Sequence, residues 1–264
     1  MENIPMVLST EDLSRLKYAK DLLENPGFAA RLTNIMGIPI KKCFNYLPAS
    51  WSDSIQNITK KSLHHALDLA IQTIDHAERK SSRDFLHKIM VATSGGIGGA
   101  FGLSALAFEL PVTTAIMFRS IADIARSEGE DILRLESKLA CMEVFALSGN
   151  SNKDIPSEVG YYATKAFLSR QISEAAKYAA ERGLAEEGAP VIARLISAIA
   201  SRFGIIVSEK AAATAIPVIG AAGGILVNTI FMNHFQNMAK GHFIIRALER
   251  KYDADSVSRL YIDL

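Results

Sequence analysis

Apolar positions along the chain recur at spacings of three and four, and no stretch sustains a period of two between turn signals. Ser9 and Asp12 fit a capping box, after which Leu13, Leu16, Ala19, Leu22 and Leu23 follow at helical spacing until Asn25-Pro26-Gly27. A second helix is predicted from Phe28 to Met36, interrupted by Ile38-Pro39. Pro48 opens a long amphipathic helix toward Arg79. Ile55, Ile58, Leu63, Ala66, Leu67, Ala70, Ile71 and Ile74 form its apolar stripe, with Lys60, Lys61, His64, Gln72 and Asp75 opposite.

The stretch from Ile89 to Phe118 has another character. Its one charge is Glu109, and Gly95/Gly99 and Gly98/Gly102 form two GxxxG pairs that would let a second helix backbone come close. Leu110-Pro111 is expected to restart the helix, which then runs to about Ser127 and stops at Gly129. Further helices are predicted from Asp131 to Leu147, from Ser157 with a stripe of Ala163, Ala166, Ala175, Ala176, Ala179 and Ala180, and from Pro190 through about Val207. A second uncharged run, Ala211 to Met232, carries Pro217, Gly220, Gly223 and Gly224 and continues past His234 toward Lys240; a short helix through Arg250 follows. The fold class expected is all-α: one multi-helix domain with the two glycine-rich apolar segments at its centre.

Val91 to Phe108 and Ala211 to Met232 are about 18 and about 22 residues long, and a bilayer-spanning helix needs roughly 20. Both are diluted by Gly, Ser, Thr and Asn, and neither has a Trp/Tyr belt, Trp51 lying elsewhere. Buried central helices are the ordinary outcome for such segments. The alternative is conditional insertion of a hairpin with arms Gly95–Phe108 and Pro111–Phe118.

Hydrophobic residues make up 49% of the 264 positions, enough for a sizeable core. The net charge of +1, from 29 basic and 28 acidic residues, argues against nucleic-acid binding through bulk positive charge. A local basic patch, Arg79, Lys80, Arg83 and Lys88, reads as a solvated linker or as a contact for anionic headgroups. Cys43 and Cys141 share no ligand spacing with histidine and fit reduced core residues of a cytoplasmic protein. The first thirty residues have no basic-then-apolar leader, so no secretory signal is expected.

Candidate chemistry is sparse. Arg119, Asp123 and Arg126 share one helix side, with Glu109 just before them; a carboxylate ending an apolar run needs a partner, and Arg119 is the nearest candidate. The bland outcome is an ion-pair network that fixes packing, and the functional one a site for a headgroup or substrate phosphate. Glu143, inside an apolar stretch, and Glu209-Lys210, at the start of the second uncharged run, are expected to join that cluster. Asn228, Phe231, Phe235, Met238 and His242 lie on one helix face, with His234 close by. No HExxH or CxxC occurs, and His64, His65 and Asp68 fit an exposed helix, so no metal is expected. Gly95-Gly96-Ile97-Gly98-Gly99 has neither a preceding strand nor a following GK[ST], and no G-x-S-x-G elbow is present. No cofactor is implied and no catalytic residue is assigned.

Several stretches together resemble the EcsC family of bacterial proteins: Leu47-Pro48, Ser94-Gly95-Gly96 to Gly102, Glu109-Leu110-Pro111-Val112-Thr113-Thr114, Arg119-Ser120-Ile121-Ala122-Asp123, Glu128-Gly129-Glu130-Asp131 and Glu143-Val144-Phe145-Ala146-Leu147. Arg202-Phe203-Gly204, Pro217-Val218-Ile219-Gly220-Ala221, Asn228, Phe231, His234-Phe235 and His242-Phe243 extend the likeness to about Tyr252. It divides the chain into an N-terminal helical extension, 1–46, and an EcsC-like domain, 47–264. The resemblance implies a helical fold; the family namesake is encoded beside components of an ABC transporter. The expectation is a cytoplasmic helical accessory protein, peripheral to the inner face of the cell membrane, with a lipid or membrane surface as partner and no enzymatic role. One rival is a hydrolase using Glu109, Asp123 and Glu143 with Arg119. The other is a module that docks on a membrane transporter.

Overall fold

The computed structural model describes residues 8–24, 27–37, 39–40, 44, 47, 51–74, 102–147, 157–182, 190–215 and 220–264. Among these the secondary structure is helical: α1 (Thr10–Glu24), α2 (Phe28–Met36), α3 (Trp51–Ile74), α4 (Gly102–Ser127), α5 (Leu135–Leu147), α6 (Ser157–Arg182), α7 (Pro190–Thr214), α8 (Gly220–Lys251) and α9 (Ala254–Asp263). The all-α expectation holds. The basic patch Arg79–Lys88, the glycines 95–99, and Cys43 lie outside the described residues.

Helix ends follow local chemistry. Ser9 Oγ accepts from the Asp12 backbone N–H at 3.1 Å and so caps α1. The Asp12 carboxylate does not close the reciprocal half of the box. It accepts instead from Ser9 Oγ at 2.9 Å, Lys251 Nζ at 2.6 Å and Tyr252 Oη at 2.7 Å. These donors, Lys251 first, hold its carboxyl far below the usual range and tie α1 to the end of α8. Gly37, at φ +68°, terminates α2. Gly129, at φ +83°, closes α4 with two bonds of a Schellman motif: its N–H donates to Arg126 O and the Glu130 N–H to Ala125 O, both at 3.0 Å. Asp131 Oδ1 then accepts from the Leu133 N–H at 3.1 Å, and this Asx turn delays the start of α5 to Leu135.

α5 is the central helix. Ser137 through Leu147 are all buried, and it packs on α3, α4, α6, α7 and α8. A helix apolar on every side has no solvent face to offer. α3 packs on α4 and α7 and buries Ile55, Leu63, Ala66, Leu67 and Ala70 of the expected stripe, with Thr59 and Ser62 buried beside them. α6 packs through only part of its expected alanine stripe. Tyr161, Thr164, Leu168, Ile172, Ala175 and Ala179 form its buried face, while Ala163, Ala166 and Ala180 are exposed. α8 continues well beyond Lys240, so Arg250 belongs to it and not to a separate short helix. Its Phe231 and Phe235 pack with Phe28, Phe145 and Phe203 at ring-centroid distances of 5.4–6.2 Å.

Three expectations about the apolar runs need correction. Pro111 does not restart a helix: α4 passes through it without interruption. The proline costs α4 the hydrogen bond to Ala107 O, but packing of Leu110, Thr114, Met117 and Phe118 holds the helix together. The run Ala211–Met232 is not one element either, because α7 ends at Thr214 and α8 begins at Gly220. Among the described residues, the helix long and apolar enough to cross a membrane is α7, Pro190–Thr214. It buries Leu195, Ile199, Phe203 and Val207 in the core.

Among the glycines whose surroundings are described, close packing falls outside the glycine-rich runs. At Gly224 an added Cβ would meet nothing within 4 Å. At Gly241 it would lie 2.7 Å from Leu23 Cγ and 2.9 Å from Ala19 O, and at Gly204 2.5 Å from Gln56 Nε2. Among these glycines, the ones that permit close approach are single ones where α8 meets α1 and α7 meets α3.

Candidate functional site

The polar residues expected to form one cluster divide into two buried groups and a solvated face. The first group lies where α4 and α8 start and α7 ends. Lys210 on α7 is buried, and its Nζ is 2.7 Å from Glu109 Oε1 on α4 and 4.7 Å from the centroid of Phe231 on α8. Lys210, not the expected Arg119, meets Glu109, because α4 is continuous. Ten residues of unbroken helix put Arg119 roughly 15 Å along the axis from Glu109. Burial of the ammonium is offset by the carboxylate and the ring face.

Beside Lys210, Glu209 turns toward α2. Gly27 offers no side chain to cap that helix. The Glu209 carboxylate takes the Ala29 N–H instead, while burial pushes its carboxyl up to about 7. His234 on α8 packs against Phe28 and Phe235 at 5.8 and 5.2 Å, with neither ring nitrogen hydrogen-bonded. Burial, then the charge of Arg31, pushes it down to about 3, so the ring is neutral. Asn228 lies one turn and a half earlier, half-buried, with its Oδ1 occluded and unpartnered.

The second group is in the core. Tyr161 Oη and His242 Nδ1 are 3.0 Å apart, and His242 Nε2 is 3.7 Å from Glu143 Oε2, a contact too long for a hydrogen bond. Burial pushes Glu143 up to about 8 and His242 well below its ordinary value, so both are neutral near pH 7. Around them, Lys165 pairs with Glu249, and Arg246 and Arg250 pair with Glu130, which the α4 turn delivers. Ser137 Oγ donates to Glu130 at 3.0 Å. Tyr161, His242 and Glu143 are all buried, so no substrate reaches them. Cys141, also buried, has its thiol pushed up by desolvation and is not a reactive thiolate.

Arg119, Asp123 and Arg126 are exposed on α4. Arg126 and Asp123 make a 3.6 Å surface pair, an arrangement that contributes little. The carboxylates of the hydrolase reading therefore do not converge: Glu109 faces Lys210, Asp123 faces solvent, and Glu143 is sealed in the core.

Above the Glu109–Lys210 pair, large apolar side chains face outward. α4 and α8 run parallel: Gln236 Nε2 donates to Ser120 Oγ at 2.9 Å and Arg246 Nε to Glu130 Oε1 at 2.8 Å, each 116 positions apart. Phe108 lies near the start of α4, and Ile225 and Leu226 near the start of α8. Phe108 is 82% exposed, Ile225 69%, and Leu226 is exposed beside it. Next to them, two contiguous concavities along α8 share Asn233. One, about 280 Å³, is lined by Arg31, Asn34, Ile35, Ile230 and Asn233; the other, about 300 Å³, by Ile225, Asn228, Thr229, Met232 and Asn233. The exposure of Phe108 and Ile225 is not legible in the residue pattern, since exposure on a mixed helix depends on which neighbours arrive.

The EcsC protein family matches the chain over residues 12–248. The chain belongs to the EcsC family. The match begins inside α1 and ends near the C-terminus of α8, so it takes in both buried groups and the parallel α4–α8 pair. No curated protein and no solved structure matches the chain. Membership of the EcsC family thus names the fold's relatives without naming an activity.

Proposed function

We propose that this EcsC-family protein is a membrane-associated, lipid-binding helical accessory protein that works at the inner face of the cell membrane without chemistry of its own. The observation that carries this reading is the apolar end of the bundle. Phe108 near the start of α4, and Ile225 and Leu226 near the start of α8, are exposed, close to the uncharged stretches of sequence that precede both helices. Large apolar side chains left in water are unfavourable, and exposed apolar surface at the same end of two parallel helices is the kind that marks an interaction surface. A lipid surface fits, because it removes apolar area from water at about 25 cal/mol per Å² without a shaped partner. The reading favours lipid over catalysis because the buried Tyr161–His242–Glu143 group is shut and the other carboxylates are dispersed.

Flotation of the purified chain with neutral and with anionic liposomes tests it. Co-flotation, strongest with anionic vesicles, is expected. A chain that stays at the bottom of the gradient with every composition, and carries no extractable lipid, would remove the proposal. A second reading, docking on a membrane transporter, would then be favoured by recovery of the chain with a membrane complex.

A further inference from the structure

We infer that Tyr161, His242 and Glu143 form a proton-operated latch between α5 and α8, open while Glu143 holds its proton and closed by a His242–Glu143 hydrogen bond when that proton leaves. The latch is independent of the membrane reading above.

The count of donors and acceptors carries it. Tyr161 Oη meets His242 Nδ1 at 3.0 Å, its one hydrogen-bond partner among the described residues. With the ring hydrogen on Nδ1, the phenol's own hydrogen would be stranded in the core. The network therefore has the phenol donating to Nδ1 and the ring hydrogen on Nε2. That Nε2–H faces Glu143 Oε2 across 3.7 Å, beyond hydrogen-bond reach. Nε2 and both carboxyl oxygens of Glu143 are occluded from solvent and without a partner. Buried polar groups are normally paired, and here an unpaired donor faces an unpaired acceptor. A protonated Glu143 brings one more donor into a space that already holds an unbonded N–H. An ionised Glu143 brings acceptors alone, and the Nε2–H then has a strong one. Loss of one proton from Glu143 to water thus turns an open contact into a charge-assisted hydrogen bond, with no proton gained or lost by His242 or Tyr161. A bond formed there ties α5 to α8 directly and to α6 through Tyr161.

The surrounding charges set the pH at which this happens. Burial holds the acid form of Glu143 up to about 8; Arg246 on α8 and Lys165 on α6 favour the anion, and Glu249 on α8 opposes it. Glu130, from the turn after α4, is taken up by Arg246 and Arg250. Tyr162 on α6 and Tyr261 on α9 adjoin Tyr161 through ring contacts. On α7, Arg202 donates to Thr164 at 3.0 Å, and Lys210 is paired with Glu109 of α4 beside Glu209. On α1, Asp12 is bonded to Lys251 and Lys20 lies over the Tyr261 ring; on α2, Arg31 acts on His234. The described titratable residues of α3 are exposed.

The test is nitrogen-15 NMR of the full chain with labelled histidine, from about pH 6 to about pH 10, the His242 ring being assigned by Overhauser contacts to Tyr161. His242 is expected to stay neutral and protonated on Nε2 throughout, while its Nε2–H resonance moves downfield with a midpoint near pH 8. Glu143→Gln, which cannot ionise, is expected to abolish the transition. A Nε2–H resonance that stays put across the range in the parent, a ring hydrogen on Nδ1, or the same transition in Glu143→Gln would each overturn the latch. The parent's own titration decides the matter even where the variant does not fold.

Discussion

The ammonium of Lys210 meets the carboxylate of Glu109 at 2.7 Å although only 2% of the lysine side chain reaches solvent, against 33% for the glutamate. The two ends of this pair therefore have unequal stakes. Glu109→Gln leaves a buried cation facing a neutral amide and the Phe231 ring, and is expected to cost about 2–3 kcal/mol, below the ~3–5 of a fully buried pair because Glu109 is partly wet. Glu109→Gln with Lys210→Met removes both charges and should regain most of that loss. Denaturant unfolding of the parent, both single variants and the double variant gives the coupling directly. A double variant no more stable than Glu109→Gln would show that the pair is not what holds this corner.

The three glycines with described surroundings inside α7 and α8 should respond to alanine in a fixed order. Gly241→Ala drives a methyl against Leu23 and the Ala19 carbonyl, and is expected to destabilise by about 1–3 kcal/mol. Gly204→Ala meets only the end of the Gln56 side chain, which can turn away, so its cost is smaller. Gly224→Ala meets open space and gains helix propensity, so it should be neutral or stabilising by up to ~1 kcal/mol. Melting temperatures of the three variants suffice. Equal effects at all three sites would mean that the α1–α8 approach is looser than described.

Stability should depend on pH through groups of opposite sign. Glu143 and Glu209 have folded values raised to about 8 and about 7 from an ordinary 4.5. In that interval the folded chain holds more protons than the unfolded one. Their contribution is full below about 4.5 and is lost as pH rises through 7 and 8. His234, lowered from 6.5 to about 3, acts the other way: stability is lost as pH falls from 6.5 toward 3. Glu143→Gln should therefore lie closest to the parent near pH 5 and gain on it steadily up to pH 9, by at most about 1.4 kcal/mol per pH unit. A parent-minus-variant difference that does not move between pH 5 and 9 would contradict a buried, protonated Glu143.

Phe108→Glu combined with Ile225→Glu places two charges on the apolar end without touching the core. The expected result is loss of flotation on anionic vesicles with the melting temperature unchanged. Arg119→Gln and Arg126→Gln, on the solvated side of α4, should float like the parent. Retained flotation in the double glutamate variant would move the membrane contact elsewhere on the molecule.

Much of this architecture is legible in the pattern of residues. The α3 stripe, the α2 boundaries and the stop at Gly129 follow from periodicity and from glycine in a left-handed position. The buried face of α8, from Phe231 to His242, follows from spacing alone. The site was legible in its residues but not in its pairings. Glu109, Lys210, Glu143 and His242 each stand out as polar groups in apolar surroundings. Yet Lys210 and Glu109 are 101 positions apart, and Tyr161 and His242 81. Arg119, the near neighbour in sequence, is the wrong partner because Pro111 fails to break α4.

By itself the sequence determined which segments are helical and which faces avoid water, because those depend on bonds and side chains within a few residues of one another. Only the tertiary structure decided that α5 is the centre, that Gly204 and Gly241 are the close contacts, and that Phe108 and Ile225 are left outside. Those outcomes depend on which distant helix covers which face, and an apolar side chain carries the same local signal whether or not its cover arrives.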